Sequence, residues 1–150
     1  MKPLLIALLC ICFSQTFAQT IDETFVKETV NQLFEGMRKN DRNMMLGTLH
    51  KSAVIQYANQ AIRPGEDIKP GDSAEAFVNG YSKFNGGKID EQITINKILI
   101  DDELASVWVN YKCYMNNRLL FCGVKSIQLI KNGLKWKISY IVENRRKYCE

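Results

Sequence analysis

Histidine is almost missing from this chain: His50 is the only one in 150 residues. A zinc or iron centre needs several histidine, cysteine or carboxylate ligands at short spacings. No stretch supplies them, so neither a metal nor any other cofactor is expected. A basic stripe with interleaved aromatics is missing too. The net charge is +4, and the lysines and arginines are spread along the chain, which argues against a nucleic-acid partner. Repeats, low-complexity tracts and interdomain linkers are also lacking, and 150 residues leave no room for a second domain. The longest apolar run is too short to cross a bilayer.

That run opens the chain. "MK" is a positive start, "PLLIALLCICF" an apolar stretch, and "TFA" a small-residue cleavage site before Gln19. Residues 1–18 therefore read as a signal peptide and 19–150 as one exported domain, periplasmic or secreted. Neither Cys10 nor Cys12 follows the small residues that lipid attachment requires, so no membrane association is expected after cleavage. The composition, 46% hydrophobic and 24% charged, suits a globular core. Without Lys2 the charge falls to +3, from 19 basic against 16 acidic side chains.

Three helices come first. "DETFVKETVNQLFEGMRKN" repeats apolar residues at steps of three and four: Phe25, Val26, Val30, Leu33, Phe34 and Met37. "RNMMLGTLH" reads as a short second helix with Met44, Met45, Leu46 and Leu49 inward. "AVIQYA" is a short strand from Ala53, and "RPGEDIKPGD" a loop. "SAEAFVNGYSKF" resumes helix, capped by Asp72 or Ser73. From Lys88 on, four β-rich runs meet at "DD", "NNR" and Asn132-Gly133, a strand meander. Helices followed by an antiparallel meander make an α+β domain, with the helices on one sheet face.

A two-residue turn at Asn132-Gly133 would set Ile127 opposite Ile138 and Lys125 opposite Tyr140. If Cys113 faces Cys122 across "NNR", Trp108 falls beside Ile127 and Asn110 beside Lys125. The core face then carries Trp108, Phe121, Ile127, Leu129, Trp136 and Ile138. The other carries Val107, Val109, Tyr111, Val124, Ser126, Gln128, Ser139 and Ile141, a mixed surface suited to a partner subunit.

"ETVNQLFEGMRKNDRNMMLGTLHKSAVIQY" followed by "VKSIQLIKNGLKWKISYI" resembles the nuclear transport factor 2-like superfamily, over about residues 22–145. The shared elements are a helix ending in a small-residue-Asp step, a "His-x-x-Ala" lead into a strand, and a final "Leu-x-x-x-x-Gly-x-Trp-x-Ile" hairpin. With its terminal "ENRRKYC", the chain is most similar to exported bacterial members of the SnoaL-like and lumazine-binding-like kinds. The resemblance implies the cystatin-like cone: a curved antiparallel sheet wrapped around a long helix, with a pocket at the open end. It also implies a homodimer through the outer sheet face. In the ketosteroid-isomerase branch, a tyrosine on the first helix and an aspartate on the first strand carry the proton transfer. Those positions match Leu33 and Tyr57 here. Leucine cannot donate to an oxyanion, and a phenol with a reference pKa of about 10 is a poor base at neutral pH.

Lys125, Asn110 and Tyr140 would form a polar cluster on the core face. A buried lysine calls for an open pocket or an ion pair. The functional reading is that Lys125 meets an anionic or carbonyl group of a ligand that Asn110 and Tyr140 orient; the structural one is that it snorkels to the sheet edge. Tyr57, Tyr81, Phe84 and Trp108 would line the pocket or simply fill the core. His50 is either a proton carrier or, with no carboxylate nearby in sequence, a structural contact at a helix end. Arg145 and Arg146 either grip an anion or form a solvated strand end. Of the three mature cysteines, Cys113 and Cys122 could face each other in a hairpin, or Cys149 could fold back onto Cys122. The resemblance implies Cys122–Cys149. Three functions fit: a small-molecule-binding protein without catalysis, a cyclase-, dehydratase- or isomerase-type enzyme, and an accessory protein whose own side chains fill its pocket.

Overall fold

The computed structural model describes the backbone of residues 2–58, 69–83 and 88–149, with side chains from residue 21 onward. Most of the Pro-Gly loop and Phe84 lie outside the described residues. The first helix, α1 (Lys2–Lys39), buries Val26, Val30, Leu33, Phe34 and Met37. Those positions form one stripe at helical spacing. Phe25 falls off the stripe and is 43% exposed. Beyond α1 the chain turns at Asn40, whose φ of 53° is one that asparagine tolerates. Asp41 then accepts a 2.9 Å hydrogen bond from the Met44 amide, capping α2 (Arg42–Thr48). Met45 is thereby buried beneath α1.

Strand β1 (Leu49–Tyr57) starts earlier than its β-rich core suggested. After β2 (Asp72–Ser73), Ser73 caps α3 (Ala74–Ser82) by accepting from the Ala76 amide at 3.2 Å. The meander follows as β3 (Ile89–Asp101), β4 (Leu104–Met115), β5 (Arg118–Asn132) and β6 (Lys135–Arg146). The six strands form one sheet in the order β2-β1-β6-β5-β4-β3. All neighbours are antiparallel except β1 and β6, which run parallel. The sheet is therefore mixed where an antiparallel one was expected, because β1 joins the meander at the β6 edge. α1, α2 and α3 pack on its inner face around a single core.

Two registers differ from expectation. Asn116 and Asn117, with φ of 52° and 66°, close a two-residue turn that sets Met115 against Arg118. One extra residue then shifts the pairing, so Cys113 faces Phe121 and Val107 faces Ile127. The expected Cys113–Cys122 pairing is off by one residue, and a one-residue slip exchanges the faces of every side chain. Val107, Val109 and Tyr111 are accordingly buried, while Trp108 is 51% exposed and Asn110 lies outside with it. In the last hairpin the turn residues are Gly133, at φ 63°, and Leu134, so Lys131 faces Trp136. A bulge beyond Leu129 puts Tyr140 opposite Gln128, exposed, buries Ile141 on the inner face, and sets Lys125 against Glu143. The trio of Lys125, Asn110 and Tyr140 does not assemble.

Candidate functional site

At the end of the sheet where β6 stops, inner-face positions of three strands carry charge. Glu91 on β3 lies opposite Cys113 on β4, and Lys125 on β5 lies opposite Glu143 on β6. All three charged side chains are at most 4% exposed. Lys125 Nζ donates to Glu143 Oε2 and lies 3.1 Å from Glu91 Oε2, an ion pair without the alignment of a hydrogen bond. Tyr81 Oη, from α3, donates to Glu91 Oε1 at 2.7 Å. Arg145 Nε donates to Glu143 Oε1 at 2.8 Å. The result is a chain Tyr81–Glu91–Lys125–Glu143–Arg145 running from helix to sheet, with two carboxylates balanced by two cations. The ammonium also sits 4.3 Å from the Tyr111 ring centroid, within cation–π range.

Burial disfavours the charges of Lys125, Glu143 and Arg145, but their partners outweigh it. Glu91 and Glu143 hold the Lys125 pKa above its ordinary value. Lys125 and Arg145 hold the Glu143 carboxyl below the usual carboxylate range. Desolvation and the Glu143 and Asp72 charges push Tyr57 up to about 12. Desolvation and Glu91 raise Tyr81 further. The free thiol of Cys113, buried beside Glu91, is pushed up to about 12.

In front of this chain the surface opens. A cleft of about 310 Å³ is bounded by Tyr57, Phe77, Tyr81, Glu91, Phe121 and Arg145. It shares Tyr57, Leu120, Phe121 and Arg145 with an outer mouth of about 630 Å³, walled by Glu143, Arg146 and Lys147. The Arg145 guanidinium lies 4.7 Å from the Phe121 ring centroid and 5.4 Å from that of Tyr57. Cys122 and Cys149 form a disulfide that ties the tail after β6 back to β5. This is the pairing that the family resemblance implied.

No family model matches the sequence, and no curated protein matches it either. Solved structures do. A nuclear transport factor 2-like protein of unknown function from Silicibacter pomeroyi superposes with a TM-score of 0.69 at 12% identity, covering 85% of this chain and 98% of its own. One from Methylobacillus flagellatus, 20% identical, gives 0.65 over 83% of this chain and 92% of its own. A ketosteroid isomerase-like protein from Erwinia carotovora, 9% identical, gives 0.62 over 81% and 94%. This chain has the nuclear transport factor 2-like fold.

Within that fold, Tyr57 and Tyr81 line the cleft. Lys125 lies behind the cleft wall, paired with Glu91 and Glu143. Trp108, Asn110 and Tyr140 stand on the outer sheet face, for the register reasons above. His50 Nδ1 is 2.7 Å from Ser52 Oγ, and the ring does not line the cleft. Leu33 is a fully buried core residue. Among the described residues no three histidine, cysteine or carboxylate side chains gather as a metal site. Sequence reasoning missed Glu91, Glu143 and Phe121 as site residues and left Arg145 between an anion contact and a solvated strand end. Glu91 shares the parity of Ile93 and Ile95 on β3, and Glu143 that of Ile141 on β6, so the inward pattern itself was the available signal.

Proposed function

We propose that the protein is an exported small-molecule-binding protein that takes its ligand in the cleft between Tyr57, Tyr81 and Phe121 and performs no chemistry on it. Export rests on the leader-like residues 1–18. Binding rests on the cleft itself, open and walled by aromatic rings with a few convergent polar groups, as ligand sites usually are. The observation that carries the non-catalytic reading is electrostatic. A general acid or base works best with a pKa near the operating pH. Here Glu143 is held low, Lys125 high, and the Tyr57 phenol up to about 12. The exposed Trp108 and Tyr140 of the outer face are the groups a second copy would cover in a homodimer. The test is an amide NMR titration with a set of small neutral and charged aromatic compounds. Saturable shifts should centre on Tyr57, Tyr81 and Phe121, with every compound recovered unchanged. Shifts confined to the Trp108 face, or conversion of a bound compound, would overturn the reading.

A further inference from the structure

The mouth of the cleft is not electrostatically neutral, although the chain of charges behind it is. Glu143 already faces Lys125 and Arg145. Arg146 and Lys147 add two positive charges to the same wall, and among the described residues no carboxylate lies within ion-pair distance of either. Arg145 and Arg146 close β6, paired with Gly123 and Cys122, and Lys147 follows in the tail that the Cys122–Cys149 bridge ties to β5; all three line the mouth. Arg145 is the most constrained of them: Glu143 holds its Nε, and the guanidinium lies beside the Phe121 and Tyr57 rings.

Resting on the cleft being a binding site, we propose that its ligand is a flat ring compound bearing a carboxylate. The ring lies against Phe121 and Tyr57, and the carboxylate meets the Arg145–Arg146–Lys147 rim. The ring faces supply stacking area, and the fork of an arginine matches a carboxylate better than a lysine does. The disulfide acts as a positioning element for this rim: it sets where the cations stand and touches no ligand.

The probes are 2-naphthoate and 2-naphthamide, which share a ring system and differ in charge. Both are titrated by NMR against the intact protein and read at Tyr57 and Phe121. 2-Naphthoate should bind about tenfold more tightly than the amide, and its affinity should fall with added salt. The double variant R146Q/K147Q, whose changes are at exposed positions, should lose most of that preference while binding the amide as before. Cys149→Ser should do the same through the released tail. Equal binding of the two probes, unchanged in R146Q/K147Q, refutes the anion reading and leaves the binding site standing. Failure of both probes to shift Tyr57 or Phe121 refutes the binding site itself and the anion reading with it.

Discussion

Replacing Lys125 with methionine tests the buried charge chain most directly. Methionine fills a similar stem volume and removes only the ammonium that Glu91 and Glu143 share. Breaking a buried pair by deleting one partner costs about 3–5 kcal/mol, because the remaining charge is left desolvated and unpaired. In a domain whose whole stability is about 5–15 kcal/mol, that is a large fraction. The pH dependence gives the sharper signature. In the native protein the folded pKa of Glu143 lies below its unfolded value. Its contribution is therefore present above the unfolded pKa of about 4.3 and lost as pH falls through the folded value. The Lys125 pKa is raised on folding, so its contribution is complete below its unfolded value and lost only in strong alkali. Without the ammonium, two buried carboxyl groups face each other, and the pair takes up a proton on folding. Its effective pKa then rises above the unfolded one. Stability of the variant should fall as pH climbs from about 5 to about 8, where the native protein is nearly level. Urea unfolding followed by the fluorescence of buried Trp136, at several pH values, measures both curves. A variant within about 1 kcal/mol of the native protein at pH 8, with a parallel pH profile, would refute the account of Lys125 as a paired structural cation.

Two further perturbations address how the cleft is held together. The Cys122–Cys149 bridge closes a loop of 27 residues, and chain entropy gives such a link about 3.5 kcal/mol. Cys149→Ser should lower unfolding stability by that order, and adding a thiol reductant should lower the native protein but not the variant; an insensitive native protein would contradict it. Gly123 sits on β5 opposite Arg145 of β6, and a Cβ there would lie 2.0 Å from the Asn144 carbonyl oxygen. Gly123→Ala must force the strands apart, so a loss of about 1–3 kcal/mol or more is expected in thermal melts, and an unchanged melting temperature would show that the strands yield freely.

Much of the architecture was legible because it rests on local chemistry. Helical spacing from Val26 to Met37 marks the face that α1 buries, and Asp41 and Ser73 are side chains that cap helices wherever they precede one. Asparagines and glycine tolerate positive φ, which is why the hairpins turn near Asn116, Asn117 and Gly133. These elements in order determine an α+β domain with helices on one sheet face. What the sequence left open is parity. Which strand residues face inward is counted through each turn, and a single inserted residue inverts the count. The bulges beside Cys113 and beyond Leu129 did so, sending Trp108, Asn110 and Tyr140 out and bringing Val109, Tyr111 and Ile141 in. Nothing local in the sequence marks those bulges. The same holds for the site. Glu91, Lys125 and Glu143 are far apart along the chain and acquire their meaning only when β3, β5 and β6 bring them to one end of the sheet. A buried lysine announces that it needs a carboxylate; only the tertiary structure decides which one answers.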